Sequence, residues 1–89
     1  MIEKITLIVY MVTAIMTGPN GEKLQPRYER AVFDTLEECQ QALAIEEFSR
    51  VMAITVQMAY PGYLLDQIGC GAWDMSKTSN GQELPTQFY

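Results

Sequence analysis

Residues 5–21 read ITLIVYMVTAIMTGPNG, and this stretch decides the fold. Ile5 to Met16 is a run of β-branched, aromatic and other apolar side chains, too short to span a bilayer as a helix. It stops at Thr17-Gly18-Pro19-Asn20-Gly21, where Asn-Gly is the favoured centre of a two-residue type I′ hairpin turn. A second arm is therefore expected from Glu22 to Phe33, with Val9 opposite Val32, Tyr10 opposite Ala31 and Ile8 opposite Phe33. Pro26 has no amide donor, so this arm reads as an edge strand or as broken there, best paired over Arg27 to Phe33. The first strand is apolar on both sides, with Ile5, Leu7, Val9 and Met11 on one and Ile8, Tyr10, Val12 and Ala14 on the other. Such a strand is expected to be buried on both faces. Read instead as an export signal, the run has a single basic residue, Lys4, offset by Glu3, and Val12-Thr13-Ala14 is only a passable cleavage site. Strand is the preferred reading.

Beyond the hairpin, Asp34-Thr35-Leu36-Glu37-Glu38 opens a helix. Thr35 can cap its first turn, and Glu38, three residues on, can return a bond to the cap's own backbone amide. Leu36, Cys39 and Leu43 fall at i, i+3, i+7 and point one way, while Glu37, Glu38, Gln40, Gln41 and Glu47 fill much of the remaining surface. The helix is expected to end near Ser49 or Arg50, with Arg50 placed to pair with Glu46. Val51 to Tyr60 then alternates, Met52, Ile54, Val56, Met58 and Tyr60 against Val51, Ala53, Thr55, Gln57 and Ala59, which is strand periodicity. The rival, a helix continuing to Ala59, scatters Ile54, Val56 and Met58 around its axis. Tyr60-Pro61-Gly62-Tyr63 has Pro and Gly at the centre of a type II turn, and a last strand follows over Gln67 to Trp73. The expectation is a single α+β domain over residues 1–73, an antiparallel sheet in the order β-β-α-β-β with one amphipathic helix on one face, and a polar C-terminal tail over 74–89. One helix covers one face, so the other needs the tail with Phe88 and Tyr89, a second copy of the chain, or a different protein.

The whole chain has 89 residues, 48% of them hydrophobic and 19% charged, enough for one core and unlike a disordered tail. Eleven acidic residues against six basic give a net charge of −5, without the basic footprint that meets nucleic-acid phosphates. Imitation of nucleic acid by the acidic surface is a weaker idea, because mimics carry denser carboxylates. The chain has no histidine, which removes the commonest acid/base group and metal ligand. No phosphate-binding glycine pattern occurs, and neither a cofactor nor a metal is expected.

Cys39 and Cys70 are 31 positions apart, a spacing that fits neither a CxxC redox motif nor a metal knuckle. A disulfide between them is geometrically open, and so is a pair of buried free thiols in a cytosolic protein. Cys70, flanked by glycines, has no nearby base or cation to make it a nucleophile. Asp66 and Asp74 flank it in sequence, with nothing in the spacing to bring them together for acid/base work. The candidate partner-binding residues are the acidic helix positions Glu37, Glu38, Glu46 and Glu47, and the aromatic residues Tyr60, Tyr63 and Trp73 near the Pro-Gly turn.

Ala31-Val32-Phe33-Asp34-Thr35-Leu36-Glu37-Glu38-Cys39, followed by a short amphipathic helix and a later Gly-Cys, resembles a pattern in small phage and prophage proteins. The resemblance covers Ala31 to Cys70 and implies a phage-borne accessory protein, a group whose members often bind and inhibit a host protein, sometimes a defence enzyme. The combined expectation is a non-enzymatic protein-binding module that occludes a partner's surface through its open sheet face, its acidic helix, or both, self-associates as a dimer, and acts in the cytoplasm, that of the host cell if phage-borne. The alternative is an exported, periplasmic or envelope-associated structural protein stapled by Cys39 and Cys70. An enzyme comes third.

Overall fold

A computed structural model describes residues 7–76 and 84–89. The chain runs β1 (Ile8–Thr17), β2 (Lys23–Leu24), β3 (Arg27–Phe33), α1 (Leu36–Leu43), α2 (Glu46–Ala59), β4 (Leu64–Asp74) and β5 (Gln87–Phe88). It is an α+β fold with an antiparallel sheet. The strand order is β2-β1-β4-β5, and β3 also pairs with β1. β1 pairs with β4 along its whole length, from Ile8 opposite Asp74 to Thr17 opposite Leu64. That leaves β2 and β3 to share the other edge of β1.

The hairpin forms, but its turn and register differ from expectation. Gly18 N–H donates to the Glu22 carbonyl at 2.8 Å and Gly21 N–H to the Gly18 carbonyl at 3.0 Å, so three residues, not two, cross the tip. Asn20 keeps a negative φ, and Gly21 alone there is left-handed, at +82°. This is a turn with Pro19 at its first central position, closed by a left-handed glycine. The extra residue moves the pairs next to the turn by one: Thr17 faces Lys23, Met16 faces Leu24 and Thr13 faces Arg27, where a two-residue turn puts each partner one position later along the arm. The arm breaks at Gln25-Pro26, as the missing amide donor requires. Between Met11 and Thr13 the register shifts the other way, so that Tyr28 to Ala31 bulge opposite the single residue Val12, and it is this bulge that sets Tyr10 opposite Phe33 rather than Ala31.

The expected strand over Val51 to Tyr60 is instead α2. Four-residue spacing explains the outcome: Phe48, Met52, Val56 and Tyr60 share one helical face, and that face is the one turned to the sheet. The helical segment is also broken in two. α1 ends at Leu43 with Ala44 as its C-cap, and α2 starts after Ile45, whose side chain makes no cap bond. Ser49 bridges the break by donating its hydroxyl to the Leu43 carbonyl. The Pro61-Gly62 turn is as expected, with Gly62 at φ +89° and Tyr63 N–H donating to Tyr60 O at 3.2 Å.

Both helices pack on one sheet face. Val12, Cys39, Met52 and Cys70 form one buried cluster, ringed by Tyr10, Tyr28, Phe33, Leu36, Leu43, Phe48 and Ile68. Ala14, Met16 and Val56 form a second, with Leu24, Tyr60, Tyr63 and Leu65 around it. Two-sided burial holds over the middle of β1, where Met11, Val12, Thr13 and Ala14 are each at most 1% exposed, but not just ahead of its start, where Leu7 is exposed; Ile5 lies outside the described residues. The opposite face is closed by the chain's own residues. Trp73 lies back over Gly71, Arg27 holds its guanidinium 4.6 Å from the Trp73 ring centroid, and Phe88 packs against Gly69. β5 fixes Phe88 there by pairing Gly71 with Phe88 and Ala72 with Gln87. Burial of β1 therefore needs no second copy of the chain.

Candidate docking surface

α1 and α2 present their outward faces to solvent. α1 starts where Thr35 accepts a bond from Glu38 N–H at 3.2 Å. The reciprocal contact of Glu38 goes to the Thr35 hydroxyl, 3.1 Å away, and not to its backbone amide. Glu37 and Glu38 occupy the first turn of α1 and Glu46 and Glu47 that of α2, where carboxylates complement the positive end of a helix. All four are exposed, as a docking role requires. Glu46 and Arg50 form no ion pair; the pairs among the described residues are Lys23–Asp66 and Arg27–Glu29.

Between these carboxylates and the Pro61-Gly62 turn lies a feature that the alternation of residues 51–60 concealed. Val51, Ile54 and Met58 fall at i, i+3, i+7 of α2 and point away from the sheet, 49%, 52% and 77% exposed. Leu64, which opens β4 beyond the turn, is exposed as well. A helix that is apolar on both faces while only one is covered is unusual in a free domain. Helical phasing of the same residues carried the signal, since the stripe at 51, 54 and 58 is opposite the stripe at 48, 52, 56 and 60.

The aromatic candidates separate. Tyr60 and Tyr63 stand edge to face with ring centroids 6.1 Å apart, half-buried against the Ala14, Met16 and Val56 cluster, with part of each ring open to solvent. Trp73 is 1% exposed and cannot contact a partner. Its place in β4 puts it over Gly71 on the closed sheet face, where its indole N–H donates to Thr13 Oγ1 at 3.0 Å.

The chemistry-bearing residues do not assemble. Cys39 and Cys70 form a disulfide with their Cα atoms 6.1 Å apart, within the ordinary range, and Cys70 is thereby removed as a nucleophile. Asp66 and Asp74 lie eight residues apart along β4, roughly 26 Å at strand rise. Asp74 accepts from Ser76 N–H at 3.0 Å and from the Ser76 hydroxyl at 2.6 Å. Asp66 accepts from the Thr17 hydroxyl, and Lys23 Nζ donates to Thr17 Oγ1 at 2.7 Å. The Thr17 bond, assisted by the Lys23 charge, holds the Asp66 carboxyl below its ordinary 3.8 against an opposing desolvation. Among the described residues there is neither a pocket nor a group of His, Cys, Asp and Glu placed to hold a metal ion, and no helix is long and apolar enough to cross a membrane.

No protein-family model matches the chain, and no curated protein or solved structure matches it either.

Proposed function

We propose that the protein is a non-enzymatic binding module that acts by covering a surface of another protein, and that the outward face of α2 is the part that binds. The observation that carries this is the exposed stripe of Val51, Ile54 and Met58 on a helix whose other side is already packed. Large apolar side chains at i, i+3, i+7 are the anchors through which helices engage protein partners, and Met58 adds a side chain that adapts to an irregular seat. Glu46 and Glu47 at the start of α2, with Glu37 and Glu38 on α1, supply an acidic rim that speeds and orients approach of a basic partner. Occlusion of this kind is how a phage-borne inhibitor of a host protein would work, which agrees with the resemblance carried by Ala31 to Cys70.

The test is site-specific photo-crosslinking in the native host. With p-benzoylphenylalanine at position 58, one discrete adduct is expected; the same probe at exposed Asn20, in the hairpin turn, gives none. Adducts from position 20 and not from 58 refute α2 as the binding face.

A second reading, an exported or envelope-associated protein, is favoured by the Cys39–Cys70 disulfide, because such bridges persist in oxidising compartments. Alkylation of thiols in host cells quenched with acid and then denatured without reductant separates the locations, since denaturant exposes both buried positions. Two blocked cysteines support export, and two labelled cysteines support a reducing cytoplasm.

A further inference from the structure

Resting on the reading of α2 as the binding face, we propose that the partner element seated on it is a cationic amphipathic helix. Spacing argues first. Glu47, Val51, Ile54 and Met58 are separated by four, three and four residues, the alternation that keeps one seam facing a neighbouring helix. From Glu47 to Met58 the seam is roughly 16 Å long at the helical rise, three turns, which matches a helical partner better than a single side-chain anchor. Val51 and Ile54 are half exposed and Met58 more so, leaving their tips free to enter the gaps between side chains of a facing helix.

Charge argues second. From Leu36 to Ala59 the helical layer carries four carboxylates, Glu37, Glu38, Glu46 and Glu47, against one cation, Arg50. Neither helix has a basic residue in its last turn. Glu47 sits in the seam itself, with Arg50 on its flank and Glu46 farther round the helix, so a facing helix with Lys or Arg opposite Glu47 is paired, while an acidic one there is repelled. A second copy of the chain fits less well. Packed antiparallel, Val51 would meet Ile54, but Glu47 would then lie over Met58, and two chains of net charge −5 would be brought together. An anionic lipid surface has the wrong sign.

The test uses the intact, oxidised protein and three fluorescent three-heptad peptides with the same leucine seam and flanks of Lys, Gln or Glu, followed by anisotropy at low and at physiological salt. The Lys-flanked peptide is expected to bind about tenfold or more tighter than the Gln-flanked one, by a margin that shrinks with salt. Ile54→Ser is expected to weaken binding by about tenfold, and Glu47→Gln to weaken it while Glu22→Gln, in the exposed hairpin turn, leaves it unchanged. Equal losses for Glu47→Gln and Glu22→Gln overturn the proposal, because the attraction is then to net charge alone. Equal binding of Lys- and Gln-flanked peptides, both lost in Ile54→Ser, overturns the cationic preference and leaves the α2 reading intact. Binding by no peptide overturns the proposal, and a blank crosslink from position 58 as well removes the α2 reading with it. A dimer on light scattering that Ile54→Ser disperses also overturns it, by assigning the seat to a second copy.

Discussion

Trp73 donates its indole N–H to the hydroxyl of Thr13 at 3.0 Å, across the two central strands, and the two residues are 1% and 0% exposed. Thr13 in turn donates to the Met11 carbonyl at 3.0 Å, so its one hydroxyl serves both groups. The arrangement depends on a residue without a side chain. The indole reaches Thr13 by lying over Gly71, two residues back on the same face of β4. Arg27, the strand partner of Thr13, covers the outer side of the ring. This closes the sheet face that the helices leave bare.

Gly71→Ala is therefore expected to be among the most damaging small substitutions in the chain. Its Cβ would stand 2.3 Å from Thr13 Oγ1 and 2.8 Å from Trp73 Nε1, so the ring or the hydroxyl must move. Overpacking and the displaced hydrogen bond together cost about 2–4 kcal/mol. Thr13→Val, which keeps the shape and removes the acceptor, should cost about 1–3 kcal/mol, and Thr13→Ser should keep the bond and lose less. Urea denaturation followed by Trp73 fluorescence measures all three; a Thr13→Val protein as stable as the parent refutes the role given to the hydroxyl.

The Cys39–Cys70 bridge ties α1 to β4 through the middle of the core, with both residues at most 1% exposed. Closing a loop with a sequence separation of 31 residues stabilises a domain by about 3–4 kcal/mol on the chain-entropy account. In the folded protein, alkylation without reductant should label neither cysteine. A strong reductant should act only slowly until denaturant opens the core, then lower the urea midpoint. Rapid labelling of the native protein is the result that contradicts the buried bridge.

The hairpin, the Thr35 cap, the Pro61-Gly62 turn and the two-sided burial of β1 were legible because each depends on local chemistry: a glycine with positive φ, a hydroxyl at a helix start, an unbroken apolar run. The register was not, because Pro19 builds a turn one residue longer than Asn20-Gly21 alone suggests, and the bulge of Tyr28 to Ala31 opposite Val12, which no local signal marks, then shifts the farther pairs the other way. Residues 51–60 misled for a different reason. An alternating segment that is apolar on both helical faces satisfies period 2 and period 3.6 together, and packing decides between them. The buried spacing of Phe48, Met52, Val56 and Tyr60 was present in the sequence, but it begins before the segment and so crosses the boundary placed at Arg50. At the site, the four glutamates lie on the surface as expected, while Trp73 was placed by its residue type and not by its neighbours. Gly69 and Gly71, which flank Cys70, were the signal that large side chains approach that strand closely, Phe88 at the first and Trp73 at the second.

Acid should loosen the junction between the hairpin tip and β4. The Thr17 hydroxyl and the Lys23 ammonium depress the Asp66 carboxyl below its ordinary 3.8 in the folded chain. A group with a depressed folded value contributes stability that is present above its unfolded value and is lost as pH falls through the folded one. The loss therefore falls in the acid range below 3.8, and no change from this group is expected near neutrality. Thr17→Val should move the Asp66 carboxyl resonance toward the ordinary value in an NMR titration, and Lys23→Gln should move it less. An Asp66 titration unchanged by Thr17→Val is the outcome that defeats this explanation.

Substitutions along α2 should divide by face, and this separates helix from strand without any partner in hand. In a strand, Met52, Ile54, Val56 and Met58 share one side and serine at each would cost alike. In the helix, Met52 and Val56 are buried at 4% and 9% exposure, while Ile54 and Met58 are at 52% and 77%. Met52→Ala is expected to cost about 2–4 kcal/mol through the cavity it leaves beside Val12 and the disulfide. Ile54→Ser and Met58→Ser should stay within about 0.5 kcal/mol of the parent, as exposed positions do. If all four destabilise equally, the segment pairs as a strand and the apolar surface assigned to binding is part of the core. If only Met52 and Val56 matter, Ile54 and Met58 are held at the surface with no folding role, and their large apolar side chains are left for a partner to cover.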